Sequence, residues 1–193
     1  MSVAPRETIL TNIFFSSRIS KILLIEATKQ MQLKNRTITT PLAEFIGKEL
    51  QDEVVVVPVL RAGLAMLIAF QEMLPKASVG FIGLERDEKT AIAREYYKKI
   101  PKILSTHIVY VVDPMLATGG SMDDTITAVK QKGAKRIVGV SIVSAPEGIK
   151  RVSEHHPDVP IITSAIDEKL NDTAYIVPGL GDFGDRYFGT EQL

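Results

Sequence analysis

Residues 108–121 read IVYVVDPMLATGGS, and the rest of the chain is best read outward from them. Ile108 to Val112 is an unbroken, largely β-branched apolar run, the mark of a strand buried on both faces. Asp113 closes the run, and a loop of small residues then opens a predicted helix over Ser121–Lys132. A helix N-terminus offers unpaired N–H groups and the positive end of a dipole. Gly119 and Gly120 let the backbone curve around a phosphate, while Thr118 and Ser121 add hydroxyl donors. Asp113, an acceptor-only carboxylate, suits the two vicinal hydroxyls of a ribose. Phosphate donors beside a sugar-hydroxyl acceptor describe a ribose 5-phosphate site. The loop after Val112 does not carry the dinucleotide pattern G-x-G-x-x-G, and it lacks the lysine of the Walker pattern. The plainer alternative is a Gly-Gly turn with Ser121 as a simple N-cap, and the acid at the strand end argues against it.

On either side, strands and helices alternate. Val54–Val57 predicts a buried strand that stops at Pro58, and Gly63–Leu74 a helix that ends before Pro75. Residues 78–84, 136–143 and 160–166 are strand-like, 146–155 is helical, and Gly133 sits where a helix C′ residue belongs. This pattern predicts an α/β fold whose mostly parallel sheet is covered by helices on both faces. An amphipathic helix is expected over Ser17–Met31, with Ser16 or Ser17 as N-cap. Residues 36–50 are ambiguous: Pro41 could open a helix, whereas Thr37–Thr40 favours extended chain. Residues 85–105 interrupt the alternation with charges and then Tyr96 and Tyr97, and read as a mobile loop or hairpin. No linker or repeat divides the chain, so 1–193 is expected to be one domain.

Composition narrows the function. Apolar residues make up 45% and charged residues 24%, ordinary values for a globular chain. Lys plus Arg and Asp plus Glu number 23 each, so no basic excess points to nucleic acid, and an anion must be held by local arrangement. With no cysteine, disulfides, thiolate metal sites and cysteine nucleophiles are excluded. Residues 1–8 are polar where a signal peptide would be apolar, which predicts a soluble, cytoplasmic protein without membrane contact. His107, His155 and His156 show no ligand or triad spacing and are read as structural or solvated.

Open α/β sheets bind ligands at the carboxyl ends of their strands. Pro58–Gly63 (PVLRAG) is a second strand-to-helix turn on that edge, and Arg61 supplies a permanent charge and a planar fork of donors for phosphate oxygens. Tyr175–Gly189 (YIVPGLGDFGDRYFG) interleaves glycines with acids and aromatics, so no long helix or central strand is expected there. Such a loop exposes backbone N–H and C=O groups at close range.

Val111–Ser121 resembles the 5-phosphoribosyl 1-pyrophosphate (PRPP) motif of type I phosphoribosyltransferases. Most of that family carries two adjacent acids after the strand. Asp113-Pro114 is instead similar to the uracil phosphoribosyltransferases, and the likeness runs from Ala27 to Thr190, through Pro58–Gly63, Ala145–Gly148 and Asn171. It implies a type I fold with a flexible loop or hairpin over 85–105 and a small base-binding hood over 167–193. It implies that Arg61, Arg86 and Asp182 are catalytic, with both arginines on the pyrophosphate and Arg86 on a lid. PRPP would also meet Asp113, Pro114, Met115, Leu116, Ala117, Thr118, Gly119, Gly120 and Ser121. Uracil would meet Tyr175, Ile176, Gly181, Asp182 and Phe183. Asp182 is left with two roles, orienting metal-bound substrate or N1 of the base. Mg²⁺ would arrive on PRPP rather than in a protein metal site, the product would be UMP, as in pyrimidine salvage, and the protein would be a homodimer. A PRPP-sensing, RNA-binding regulator on the same fold is the alternative of a different class, and a purine or orotate phosphoribosyltransferase the alternative among enzymes.

Overall fold

The computed structural model describes residues 5–86 and 93–190. In chain order the elements are α1 (Pro5–Thr28), β1 (Leu33–Thr39), β2 (Glu44–Leu50), β3 (Glu53–Leu60) and α2 (Leu64–Met73). β4 (Ser78–Val79), β5 (Phe81–Arg86), β6 (Ala93–Lys99), β7 (His107–Val112), β8 (Met115–Leu116) and α3 (Gly120–Gln131) follow. The chain continues with β9 (Arg136–Ser144), α4 (Pro146–His155), β10 (Ile161–Ile166), β11 (Lys169–Leu170), β12 (Ile176–Val177) and α5 (Phe183–Phe188).

The main sheet runs β10-β9-β7-β3-β5-β6, with β4 beside β3 and β8 beside β9. Every pairing in it is parallel except β5 with β6. The valine run supplies the middle, and its period of two divides the core. Val55, Val57, Val109 and Val111 face Met122, Ile126, Val129 and Val152 of α3 and α4. Val54, Val56, Ile108, Tyr110 and Val112 face Leu23, Leu24 and Ala27 of α1 and Met66 and Phe70 of α2. Each fully buried valine contributes roughly 1.5 kcal/mol or more, so the sheet centre is the most stable part of the scaffold. The Tyr110 hydroxyl donates to the Ala27 carbonyl at 3.3 Å, which satisfies the polar tip of a wholly buried ring.

Two expectations require correction. The first helix begins at Pro5, not at Ser16 or Ser17, and ends at Thr28 rather than Met31. Ser16 is 3% exposed and its hydroxyl bonds the Ile13 carbonyl at 3.3 Å, so it lies within the helix rather than capping it. The strand at Val54 does not stop at Pro58 but runs to Leu60. β4 and β5 flank β3 as two pieces broken at Gly80, and the Val56 carbonyl faces that side, accepting the Gly80 N–H at 2.9 Å. Two residues on, the missing N–H of Pro58 points into the same break and costs no ladder bond. The ambiguous stretch 36–50 falls within an antiparallel hairpin, β1 paired to β2 from Leu33↔Leu50 to Thr39↔Glu44. Its base is fixed by Asp52, which receives both terminal nitrogens of Arg136 at 2.5 and 3.0 Å. The excursion at 85–105 overlaps an antiparallel hairpin that starts earlier, at Phe81, and holds its second strand, β6. Residues 87–92 lie outside the described ones, as do the side chains of 84–95, Arg86 among them.

Candidate active site

Three segments meet at the carboxyl edge of the sheet: the β3–α2 turn, the β7–α3 loop and the segment carrying α5. The β7–α3 loop is held by its own backbone. The Asp113 N–H donates to the Val140 carbonyl at 3.1 Å, and the Pro114 carbonyl accepts from Ile142 and Val143 at 3.0 and 2.9 Å. Ala145 N–H reaches the Leu116 carbonyl at 2.8 Å. Main-chain bonds to β9 thus fix the loop and leave its inner face open. That face is a hollow of about 70 Å³ lined by Asp113 and Met115 to Met122. Gly119 turns it at φ 79°, where a Cβ would stand 2.8 Å from the Gly148 carbonyl oxygen, so only glycine fits. Gly63 plays the same part in the β3–α2 turn, since a Cβ there would meet the Val112 oxygen at 2.6 Å. The Thr118 hydroxyl accepts the Gly120 N–H at a long 3.4 Å.

Burial pushes the Asp113 carboxyl up to about 7; the Met115 N–H works against that rise and the nearby Asp182 charge adds to it. The structure therefore brings Asp113 and Asp182 together. Asp182 is the N-cap of α5, its Oδ1 accepting the Asp185 N–H at 2.8 Å. α5 then docks through Phe183 and Tyr187 on Ala65 of α2, with Ala62 and Met115 alongside. The rings of Phe183 and Tyr187 stack at 5.8 Å, so the buried Phe183 side chain belongs to this contact. β11 and β12 form a short antiparallel pair just before it, with Ile176 buried and Tyr175 exposed.

Arg61 is half exposed and joins the same cluster. Its Nη2 donates to Asp185 Oδ1 at 2.9 Å and its Nη1 to Thr190 Oγ1 at 3.3 Å, while the Thr190 hydroxyl donates to Asp185 Oδ1 at 2.5 Å. The Thr190 and Arg61 donors hold the Asp185 carboxyl below its usual range. Arg61, Asp113, the 114–121 loop, Asp182 and Phe183 therefore share one edge of the molecule, with Gly181 next in chain to Asp182. Reading the sequence missed Asp185 and Thr190, which hold Arg61 across the chain, and Asp123, which gathers Arg151, His155 and His156. Both sets are brought together only by folding.

Among solved structures, this fold resembles a hypoxanthine-guanine phosphoribosyltransferase of Bacillus anthracis, with a TM-score of 0.54 at 14% identity over 81% of this chain and 78% of that one. The AQ2163 protein of Aquifex aeolicus matches at a TM-score of 0.89 and 32% identity, over 100% of this chain and 99% of that one. A mostly parallel sheet with a strand-end acid, a glycine-turned hollow and α5 docked at its carboxyl edge defines the type I phosphoribosyltransferase class. The sequence profile described as uracil phosphoribosyltransferase matches residues 9–190. The uracil phosphoribosyltransferase of Finegoldia magna is 51% identical over 91% of this chain and 84% of its own length, and that of Levilactobacillus brevis is 49% identical over the same shares. The chain belongs to the uracil phosphoribosyltransferase family, and these likenesses favour the enzyme over the RNA-binding regulator.

Proposed function

We propose that the protein transfers the phosphoribosyl group of PRPP to N1 of uracil, giving UMP and pyrophosphate. The observation that carries this reading is the meeting of the Asp113 hollow, Arg61 and the Asp182 hood segment at one sheet edge, in a chain of this family. The bond from ribose C1 to the pyrophosphate oxygen breaks with its electron pair on the leaving group. The C1–N1 bond forms and the N1 proton passes to the departing pyrophosphate. Nothing in this exchange requires a protein nucleophile; the work is positioning and stabilisation of charge. Residues 114–121 hold the 5′-phosphate with backbone and hydroxyl donors, and ionised Asp113 accepts the ribose hydroxyls. Arg61, and Arg86 from the β5–β6 hairpin, stabilise the departing pyrophosphate. Tyr175, Ile176, Gly181, Asp182 and Phe183 line the base side, largely through backbone groups.

The neighbouring carboxylates of Asp113 and Asp182 are hard oxygen donors, which suits Mg²⁺ carried on the substrate. Mg²⁺ supplies neutralisation of the pyrophosphate oxygens when bound. Among the described residues no helix is long and apolar enough to cross a membrane, and the proposed setting is the cytoplasm, as a homodimer. The test is chemical identification of UMP after incubation of uracil, PRPP and Mg²⁺ with the protein and with Arg61→Ala. The reading predicts UMP from the first and a deep loss in the second; PRPP binding with no UMP from the unaltered protein would contradict it.

A further inference from the structure

Asp123 lies in the first turn of α3, its N–H bonded to the Gly119 carbonyl at 2.9 Å, and only 5% of it is exposed. Three side chains of α4 and its C-terminal end converge on its carboxylate: Arg151 Nε at 2.9 Å, His155 Nδ1 at 2.7 Å and His156 Nε2 at 2.9 Å. A buried carboxylate with three partners is a stiff anchor. The way it grips Arg151 is informative. A guanidinium serving only to staple two helices is best held through two parallel N–H bonds. Here the bond uses Nε alone and leaves the Nη edge without a hydrogen-bond partner among the described residues.

That free edge has a definite place. The Arg151 Cβ is 3.4 Å from where a Cβ on Gly119 would stand, and its Nη1 is 3.6 Å from one on Gly120. The stem therefore crosses the outside of the Gly119–Gly120 turn, and the fork stands beside the first N–H groups of α3. The side chain is 44% accessible, so with Nε held by Asp123 the rest of the planar fork meets solvent at the rim.

We propose that Arg151 is a ligand of the ribose 5-phosphate, closing the outer side of the hollow formed by residues 115–122, and that Asp123 positions it with the help of His155 and His156. This rests on the reading of that hollow as a phosphate cradle. A permanent charge at its rim would add donors to those of the helix N-terminus and favour the phosphorylated ribose over a free nucleoside. A charge-assisted hydrogen bond to phosphate predicts a roughly tenfold or greater loss of affinity when the fork is removed.

The experiment is calorimetric titration of UMP and of uridine into the unaltered protein, Arg151→Gln, Arg151→Lys and Asp123→Asn, with thermal melting of each. The proposal predicts that Arg151→Gln loses UMP affinity while its melting temperature holds, and that Arg151→Lys recovers part of the loss. Asp123→Asn should fall between, and the preference for UMP over uridine should shrink in proportion. Unchanged UMP affinity in Arg151→Gln, with or without a lower melting temperature, would reduce the cluster to a helix staple and overturn the proposal. Failure of the unaltered protein to bind UMP would overturn the cradle and the proposal together, a result distinct from binding that ignores Arg151.

Discussion

Asp113 accepts ribose hydroxyls best when ionised, and its burial opposes ionisation. With the carboxyl raised from an ordinary 3.8 to about 7, the folded free protein disfavours the charged form. That penalty is absent below about pH 4, grows as pH rises toward 7 and is constant above it, so this group makes the free fold less stable across that window. Ligand hydroxyls offset the same penalty. Ribose 5-phosphate is therefore expected to bind more tightly as pH rises from 6 to 8, beyond the change shown by Asp113→Asn, which lacks that carboxyl; calorimetry at several pH values reads the difference. The Asp185–Arg61 pair has a smaller role because Arg61 is half exposed. Asp185→Asn should cost about 1 kcal/mol at most, a rise of up to roughly fivefold in KM for PRPP, in steady-state kinetics. Asp113, Gly119 and Arg61 were legible because each sits within a few residues of its strand end. Asp185 lies 124 residues from Arg61, and Asp123 lies 28 from Arg151, so nothing local marks either pair.

Elements whose period matched one buried environment were read correctly: α4 over 146–155, the β7 strand and the Gly133 helix end at φ 97°. The misreadings came from context. Ser16 and Ser17 lie within α1, Ser16 buried, and two hydroxyls ahead of the apolar spacing looked like a cap. Pro58 looked like a strand end because its missing N–H seemed costly, and the break between β4 and β5 removed that cost. The β1–β2 hairpin is almost wholly exposed, so no buried face gave it a period to read. At this scale the β7–α3 turn can be tested. Gly119→Ala places a Cβ at φ 79° against the Gly148 carbonyl, costing about 1–2 kcal/mol for the backbone alone. Its melting temperature should fall and its PRPP affinity collapse. Gly133→Ala carries a similar backbone strain far from the hollow, and should lower the melting temperature while leaving KM for PRPP unchanged.

Across the whole molecule, α1 with α2 and α3 with α4 close the two sheet faces, and the ligand segments are left along one edge. The fold class was legible because a continuous apolar strand alternating with helices has few other solutions. What remains uncovered is apolar surface on α1 and the β1–β2 hairpin, with Phe14, Phe15, Ile22, Ile25, Phe45 and Ile46 all more than half exposed. Six large apolar side chains on adjoining elements fit the proposed homodimer. Changing Phe45 and Ile46 together to Asp should shift sedimentation from dimer to monomer without melting the sheet. The central claim, phosphoribosyl transfer to uracil, is tested most directly by pyrophosphate release from PRPP and Mg²⁺ with uracil, cytosine, orotate, hypoxanthine or no base. Cytosine presents a donor where uracil presents an acceptor, so a backbone donor in the hood would reject it. Release with uracil alone is the predicted result; release with another base would keep the ribose-phosphate cradle but contradict the reading of residues 175–183, and no release with any base would contradict the account.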